Sequence, residues 1–419
     1  MTRGLAAVLL AGALLAPVRA SAAPGPAPTA SYIVALLPEA GDPSVTAALM
    51  GVDYGFAIDD VYQNALTGFA ADLSPAELSA VQADPRVASV EPDRPLTADG
   101  QITPTGVERV KADISPTAAI DQNPQPPVDA NVAILDTGID TTHPDLIVTG
   151  GANCAKGKGY DDHYGHGTGS AGIVGALDNR VGVVGVAPGA RLWAVRVLDD
   201  AGNGTTRELL CGVDWVTSTR TDSDPRNDID VANLSLGGAG GDDGQCGAVD
   251  KDLLHQAICR SVAAGVTYVV AAGNDHVDAG KFSPASYAEV ITVSALADSD
   301  GRPGGLGGSP KCRADQDDTL ADFSNYGATV DLIAPGVCIL TTVPLQSKAL
   351  GTTNGYGQLS GTSFAAPHVA GAAALYIAKH RGVTPAQVRD ALIRSASQDW
   401  NNVDDPDGVK EPLIDVEAF

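Results

Sequence analysis

Three polar side chains occur where glycines and small residues would leave them open to a reactant. Ser363 follows a tight glycine turn and begins an alanine-rich run, which predicts a helix whose unpaired N–H groups and positive dipole end lie at the hydroxyl. His166 lies between glycines at the start of another small-residue helix, and Asp136 ends an apolar strand that begins at Asn131. A serine nucleophile, an imidazole that carries the proton and a carboxylate that orients it form a catalytic triad. Ser363 considered alone is equally typical of a helix N-cap.

The segments around these residues resemble the Asp, His and Ser signatures of the subtilisin-like (subtilase) serine peptidases, peptidase family S8. They read Asp-Thr-Gly from Asp136, His-Gly-Thr-Gly from His166 and Gly-Thr-Ser-Phe-Ala-Ala-Pro around Ser363. The order Asp, His, Ser is that of subtilisins. Two positions depart from the usual pattern, since Gly169 stands where a second histidine is common and Phe364 where methionine is common. Neither position transfers a proton, so these departures concern substrate shape and helix packing.

The resemblance also implies an oxyanion hole and a substrate-binding edge. Asn274 follows Gly273 after an apolar run, and outside this context such an asparagine predicts a turn. Within the family pattern it is the side-chain donor that acts on the oxyanion together with the backbone N–H of Ser363. An extended peptide would pair with one edge of the chain and rest against pocket walls. The residues implied for substrate binding are Ser235, Leu236, Gly237, Ala272 and Gly273.

Small and apolar residues predict a neutral first specificity pocket. The runs 234–237 and 271–273 carry no charge, and residues 282–286 resemble the stretch that closes this pocket in the proteinase K branch of the family. An unpaired charge buried there would cost on the order of several kcal/mol, so apolar or aromatic residues are expected before the cleaved bond. Asp275 and Asp278 are close in sequence and leave a preference for Arg or Lys open.

A structural calcium (Ca²⁺) site is a further implication of the resemblance. Hard cations take carboxylate, amide and carbonyl oxygens, and the sequence has no His-Glu-x-x-His or paired-cysteine motif for a transition metal. An exposed polar loop is the alternative for these segments. A weaker site would use the carbonyls of Ala288 and Val290 with Asp331, and residues 404–408 are expected to form a solvated acidic turn. The ligands implied for the main site are Gln101, Asp145, Asn179 and the carbonyls of Leu177, Val181 and Val183.

Other protein classes fit the same residues less well. An aspartic peptidase needs two Asp-Thr-Gly copies, and only the one at Asp136 occurs. An α/β-hydrolase needs Gly-x-Ser-x-Gly, whereas Ser363 lies in Gly-Thr-Ser-Phe-Ala. A sedolisin-type acid peptidase shares Ser-Gly-Thr-Ser but has Glu in place of His166. A non-catalytic binding module would not need a triad and Asn274 together. We therefore expect a serine endopeptidase that hydrolyses peptide bonds of proteins and needs no catalytic cofactor.

Three segments follow one another along the 419 residues. Residues 1–23 combine one basic residue, a short apolar run and small residues near Ala22, which predicts a secretory signal peptide too short to span a membrane. Residues 31–97 predict a small α/β (ferredoxin-like) domain that resembles the inhibitory propeptide of subtilases, with an independent accessory domain as the alternative. Residues 101–419 predict the peptidase, an α/β domain with a parallel sheet in three layers.

Hydrophobic periodicity locates the elements of both domains. Ser74 and Glu77 have the spacing of a capping box at the second propeptide helix. The predicted propeptide strands are residues 31–37, 65–71 and 87–91, and its helices are residues 43–52 and 74–83. The predicted strands of the parallel sheet lie near Val132, Leu192, Val231, Tyr268, Val290 and Val330.

Composition predicts a secreted, extracellular protein. The net charge of −25 and the pI near 4.4 argue against nucleic acid as a partner. Apolar runs after the leader are short or interrupted, so we expect no membrane association and a monomer whose partners are protein or peptide substrates and its own propeptide as inhibitor. Six cysteines, all after the propeptide, allow three disulfides in fifteen pairings. The pairings favoured here are Cys154–Cys211, Cys246–Cys259 and Cys312–Cys338.

Overall fold

The chain folds into two compact units, Met1–Ala98 and Asp99–Phe419. A computed structural model describes residues 29–93, 100–345 and 354–419. The predicted signal peptide, residues 1–23, lies outside the described residues.

The first unit is an antiparallel four-stranded sheet packed with two α-helices. In chain order its elements are β1 (Ala30–Leu36), α1 (Pro43–Tyr54), β2 (Asp60–Tyr62), β3 (Gly68–Leu73), α2 (Pro75–Ala83) and β4 (Val87–Pro92). The succession βαββαβ with strand order β2-β3-β1-β4 is ferredoxin-like, as predicted. Ser74 caps α2, and the carboxylate of Glu77 accepts from the Ser74 N–H at 2.6 Å, so the capping box is confirmed.

One strand of the first unit was not predicted. Strand β2 is three residues long and mostly exposed, so its sequence carries no apolar alternation. It pairs with β3. Strand β3 begins at Gly68, later than its predicted start at residue 65. A short edge strand of this kind is specified by its partner strand more than by its own residues.

The second unit surrounds a mostly parallel sheet. Its helices are α3 (Thr105–Arg109), α4 (His166–Gly175), α5 (Thr206–Thr219), α6 (Leu253–Ala263), α7 (Thr362–Lys379) and α8 (Pro385–Ser395). Its strands are β5 (Asn131–Asp136), β6 (Val148–Asn153), β7 (Arg191–Arg196), β8 (Val231–Leu234), β9 (Gly238–Ala239), β10 (Thr267–Ala271), β11 (Phe282–Ser283), β12 (Ile291–Ala297), β13 (Thr319–Leu320), β14 (Leu332–Pro335), β15 (Ile339–Thr342) and β16 (Tyr356–Leu359).

The main sheet has the order β13-β12-β10-β8-β5-β7-β6, and β14 also pairs with β12. All of its pairings are parallel except the one between β12 and β13. Each of the six strands predicted from periodicity coincides with an observed strand or lies within two residues of one. Parallel strands with right-handed crossovers bring their carboxyl ends to one edge, where α/β proteins bind ligands.

Both faces of the sheet are covered, which gives the predicted three layers. Along β5, Val132 and Ile134 belong to one core with α4 and α7, while Ala133 and Leu135 belong to a second core with α5 and α6. Every residue of β5 is buried, because both faces are packed. A strand buried on both faces reads as a continuous apolar run rather than an alternating one.

The three favoured disulfide pairings are confirmed. Cys154 bonds to Cys211, Cys246 to Cys259 and Cys312 to Cys338, all within the second unit. In the part of the chain that the structure describes, no helix is long and apolar enough to cross a bilayer.

Candidate active site

Asp136 and His166 meet at the carboxyl end of β5. The His166 Nδ1 lies 2.8 Å from Oδ1 and 2.9 Å from Oδ2 of Asp136. The carboxylate is fully buried, whereas 21% of the imidazole side chain is exposed. The buried acid therefore fixes the ring, and the ring keeps an open side toward solvent.

This close approach depends on Gly167, the second residue of α4. A Cβ at this position would lie 2.1 Å from the Gly138 carbonyl oxygen and 3.0 Å from Cβ of Asp136. Both distances are shorter than real side chains tolerate, so only glycine lets the first turn of α4 rest on the end of β5. The Gly167 N–H donates to Oγ1 of Thr137 at 2.9 Å, which secures the contact.

Asp162 organises the turn before His166, a role that the sequence analysis did not predict. Its Oδ1 accepts from Oγ1 of Thr137 at 2.9 Å and from the N–H groups of Tyr164 and Gly165 at 2.9 and 2.8 Å. Its Oδ2 accepts from the Thr168 N–H at 2.9 Å. The side chain lies in a motif-rich segment, but its role depends on a hydrogen bond with Thr137, just after β5, that no spacing rule predicts.

Burial and the neighbouring carboxylates shift the pKa of His166 in opposite directions. Burial alone would lower the pKa of His166, but the charge and hydrogen bond of Asp136 and the charge of Asp162 raise the pKa above its ordinary value. The ring of Phe364 packs against the imidazole, with centroids 5.0 Å apart. The aromatic residue that replaces the more common methionine thus packs directly against the His166 ring.

Ser363 is the second residue of α7, after a glycine with φ of +150°. This angle places Gly361 in a region that residues with a side chain avoid, which explains the glycine before the nucleophile candidate. The Ser363 Oγ donates to the Ser235 carbonyl at 3.1 Å, and the Ser235 Oγ donates back to the Ser363 carbonyl at 2.6 Å. The N–H of Ser363 belongs to the first helical turn, whose N–H groups have no intrahelical acceptor.

Asn274 is held at the start of α7 by its carbonyl oxygen. Oδ1 accepts from the Thr362 N–H at 2.8 Å and from the Thr362 Oγ1 at 2.9 Å. This pairing assigns the oxygen and leaves the Nδ2 amide as the donor end of the side chain. His166, Ser363 and Asn274 all line the same cleft.

The loop that carries Asn274 is braced by Asn325, a second residue that sequence reasoning missed. Asn325 is fully buried, donates from Nδ2 to the Ala272 carbonyl at 2.8 Å and accepts at Oδ1 from the Asp275 N–H at 3.1 Å. Gly273 has φ of +107°, and a Cβ there would meet the Asn325 amide at 2.3 Å. The asparagine therefore fixes the backbone on both sides of Asn274 from about fifty residues away.

The predicted substrate-binding residues divide into two groups. Ser235, Leu236, Gly237 and Gly273 line the cleft, whereas Ala272 is fully buried behind it. The cleft wall continues through Gly238 and Ala239, which form β9 and pair with β11. Phe282 of β11 also faces the cleft.

The residues predicted for calcium lie together around the buried carboxylate of Asp145, although Val181 is exposed. Asn179 Nδ2 donates to the Asp145 Oδ1 at 2.8 Å, and the Asn179 N–H donates to the Gln101 Oε1 at 2.7 Å. The N–H of Val183 reaches the Asp145 Oδ2 at 3.2 Å, and Leu177 donates to the Asp145 carbonyl at 3.0 Å. The loop 177–183, which includes Val181, thus closes over a carboxylate that is 1% exposed.

The donor set of this cluster fits a hard cation. Burial raises the pKa of Asp145 to about 6, although hydrogen bonds from Val183 and Asn179 act against the rise. Among the described residues no Lys or Arg forms an ion pair with this carboxylate. Carboxylate, amide and peptide oxygens at one buried place are the ligands that Ca²⁺ prefers.

One weaker expectation for acidic residues is wrong, and a second holds at every residue but one. The guanidinium of Arg389 occupies the expected second cation position, since Nε donates to the Asp331 Oδ1 at 3.0 Å and Nη1 to the Ala288 carbonyl at 2.7 Å. The turn at residues 404–408 is not uniformly solvated, because Asp405 is only 8% exposed. The sequence could not show either burial or a partner 58 residues away.

Comparisons with known proteins agree with this architecture. The subtilase family (Peptidase_S8) matches residues 129–410, and peptidase inhibitor I9 matches residues 32–99. Subtilisin DY of Bacillus licheniformis is 36% identical over 322 residues, which cover 76% of this chain and 98% of that protein. Subtilisin NAT of Bacillus subtilis subsp. natto is 37% identical over 333 residues, covering 78% and 75%. The crystal structure of a cold adapted subtilisin-like serine proteinase is similar with a TM-score of 0.57 and 30% identity, covering 76% of this chain and 99% of that one.

The chain therefore belongs to the subtilase family of serine peptidases, and its peptidase domain follows an I9 inhibitor domain. The fold class, the enzyme class and the propeptide predicted from the sequence are confirmed. A serine peptidase that carries its own inhibitor domain is consistent with a zymogen.

Proposed function

We propose that this enzyme cleaves peptide bonds through a triad of Ser363, His166 and Asp136, with Asn274 in the oxyanion hole. One observation carries the proposal: His166 Nδ1 pairs with the fully buried carboxylate of Asp136, on the cleft that Ser363 lines. A serine peptidase needs a base whose tautomer is fixed beside its nucleophile. The residue roles proposed here meet that requirement with groups from β5, α4 and α7.

The proton moves along one line of groups. Because the Nδ1–H of His166 donates to Asp136, the neutral ring carries its lone pair on Nε2. Nε2 takes the proton of the Ser363 hydroxyl as the oxygen attacks the substrate carbonyl, and the hydroxyl leaves the Ser235 carbonyl for this step. The imidazolium then gives the proton to the leaving amine, and water repeats the sequence on the acyl-enzyme.

The developing negative oxygen is stabilised by two donors. The Ser363 N–H at the start of α7 supplies one, and the Asn274 Nδ2 supplies the other. The Thr362 bonds to Asn274 Oδ1 orient this amide before substrate binds, so no reorganisation is needed during the reaction. The positive end of the α7 dipole adds to the same field.

Residues 31–97 are proposed to inhibit the enzyme until it removes them itself, and the chain is proposed to act outside the cell. The I9 match over residues 32–99 supports the inhibitor role. Three disulfides support an oxidising compartment, where such bonds persist.

Ser363→Ala in the full chain tests nucleophile and self-processing together. Expressed without other proteases, this variant should remain a precursor and should not hydrolyse peptides. Ser360→Ala removes a nearby hydroxyl that accepts from the Cys338 N–H at 2.9 Å, and it should mature and retain turnover. Maturation of Ser363→Ala would contradict self-processing, and peptide hydrolysis by it would contradict the proposed nucleophile.

The first specificity pocket is proposed to prefer apolar or aromatic side chains. Leu236 and Phe282 line the cleft, and the nearby carboxylate of Asp252 already accepts from the Tyr287 hydroxyl at 2.5 Å. A panel of chromogenic peptides that differ only before the cleaved bond should favour Phe and Leu. A preference for Arg or Lys would contradict the apolar pocket and indicate Asp275, which also lines the cleft.

We also propose that Asp145, Gln101 and Asn179 hold Ca²⁺ as a stabilising ion. The metal would neutralise the buried carboxylate of Asp145 and tie residues 177–183 to it, and it takes no part in proton transfer. Chelation should lower the Tm of the wild type and should change the Tm of Asp145→Asn much less, while Asp161→Asn behaves as wild type. An unchanged wild-type Tm after chelation would contradict this site.

A further inference from the structure

A buried histidine outside the catalytic cluster has one nitrogen without a partner. His255 lies in the first turn of α6 and its side chain is 1% exposed. Its Nε2 is 2.8 Å from Oε2 of Glu289, whereas Nδ1 has no hydrogen-bond partner among the residues that the structure describes. A buried polar atom left in this state costs stability unless something else binds it.

Two carboxylates face the unpaired nitrogen. The Asp242 Oδ1 lies 3.7 Å and the Asp243 Oδ1 4.0 Å from His255 Nδ1, beyond hydrogen-bond range. The three ligand atoms lie within 4.8 Å of one another. With Nε2–H donated to Glu289, the lone pair on Nδ1 is directed toward two anionic groups, which is repulsive unless a cation lies between them.

The charge of this cluster is not balanced by basic side chains. The Asp243 carboxylate accepts hydrogen bonds only from peptide N–H groups of its own loop, at residues 245, 247, 249 and 250, among the described residues. Among the described residues, the ion pairs of Asp242, Asp243 and Glu289 involve only His255. Peptide N–H groups hold the carboxylates of Asp242 and Asp243 in position, and no Lys or Arg among the described residues pairs with either one.

We propose that His255 Nδ1, Asp242 and Asp243 bind a divalent cation of the borderline class, such as Zn²⁺. An imidazole with two carboxylates is a donor set for such ions, and open positions would be taken by water. Metal-bound histidines characteristically donate their other ring N–H to a carboxylate, which is what Glu289 accepts here. Tetrahedral ligands at ~2.1 Å stand ~3.4 Å apart, so the observed separations need only small side-chain shifts.

The site lies directly behind the substrate cleft. The His255 ring stacks on Tyr287 with centroids 3.9 Å apart and planes 2° from parallel. Tyr287 and Asp252, which precedes α6, both line the cleft. A bound ion would therefore stiffen the wall of the cleft near the first specificity pocket, without touching the triad.

Zinc titration of the full chain provides the test. Ser363→Ala is the parent, because it cannot digest itself, and calcium is kept saturating so that the Asp145 cluster does not respond. By calorimetry, the parent should bind one Zn²⁺ more per chain than its His255→Gln derivative, and zinc should raise only the parent's Tm at low concentration. Glu289→Gln should weaken this binding about 10- to 100-fold, as expected for an orienting carboxylate.

Two further variants keep the test decisive. Asp242→Asn leaves the buried histidine intact and should fold even if His255→Gln does not, yet it should lose the tight zinc site. His380→Gln removes an exposed histidine and should bind zinc like the parent. Equal zinc stoichiometry and affinity in the parent and Asp242→Asn would overturn the proposal. No zinc binding by the parent would also overturn it.

Discussion

The end of β5 and the carboxyl-terminal loop each bury a carboxylate, Asp136 in the first and Glu411 in the second, and among the described residues Asp136 has hydrogen-bond partners whereas Glu411 has none. Asp136 is fully buried and bonds to His166 Nδ1 and to the Thr137 N–H at 2.7 Å. Glu411 is 3% exposed, and neither carboxylate oxygen has a hydrogen-bond partner in the described part of the chain. The two acids are similarly buried, but the described residues hydrogen-bond to Asp136 and not to Glu411.

This comparison shows that the role of a buried carboxylate depends on its hydrogen-bond partners and neighbouring charges more than on how deeply it is buried. Burial and the nearby charges of Asp405 and Asp407 raise the pKa of Glu411 to about 8. At the end of β5 the His166 imidazole and the Thr137 N–H compensate the carboxylate of Asp136.

The largest effect on turnover is expected from Asp136→Asn. The amide would offer a donor to Nδ1 and favour the wrong tautomer of His166, so kcat should fall ~10⁴-fold, as in other serine-triad enzymes. Steady-state kinetics on a chromogenic peptide measures the loss, and the Tm controls for folding. Wild-type turnover in a folded Asp136→Asn would remove this residue from the triad.

Asn274→Leu should lower kcat ~100- to 1000-fold with little change in KM, a magnitude known from the corresponding donor in subtilisin. Thr362→Val should cost less, because the Thr362 N–H still holds the amide oxygen. This ranking separates the donor from the group that orients it. An Asn274→Leu enzyme with unchanged kcat would exclude the side chain from the oxyanion hole.

Asp162→Asn should move the acid limb of the pH–rate profile to lower pH. The charge of Asp162 helps to raise the pKa of His166, and only the neutral imidazole acts as base, so removing the charge lets activity begin at lower pH. Asp161→Asn, at the neighbouring residue, is the control and should leave the limb in place. A limb that stays fixed in Asp162→Asn, or moves upward, would contradict this electrostatic account.

Glu411→Gln should leave turnover unchanged and alter stability with pH. A carboxyl group whose folded pKa lies near 8, above its ordinary value near 4.5, contributes a cost that is absent below pH ~4.5 and grows as pH rises toward 8. The free energy of unfolding of the wild type should therefore fall across this range relative to that of Glu411→Gln. Parallel denaturation curves at pH 5 and pH 8.5 would show that Glu411 is paired in solution.

The sequence predicts a functional residue when its neighbours in the chain form a recognisable pattern. It does not predict one whose role depends on contacts with residues distant in the sequence. Asp136, His166 and Ser363 each stand at the junction of an apolar run and a glycine, which periodicity detects. Asp162 braces the segment between Asp136 and His166, and Asn325 braces the loop that carries Asn274. Both lie in loops without a regular pattern, and their roles arise from hydrogen bonds to Thr137 and Ala272.

The same distinction holds for the fold. The six parallel strands are continuous apolar runs and were located, whereas β2 and β6 carry little apolar pattern and were not. The buried Asp405 and the Arg389–Asp331 pair also escaped prediction, because a charged residue reads as exposed until its tertiary neighbours are known.

Covalent labelling of the mature enzyme tests the central claim most directly. A fluorophosphonate reacts only with a serine that a neighbouring base activates, and peptide mass spectrometry locates the adduct. We expect one adduct, on Ser363, which forms rapidly in the wild type and far more slowly in Asp136→Asn. A labelled serine elsewhere, or equal labelling rates in the two proteins, would contradict the proposal that Asp136 and His166 activate Ser363.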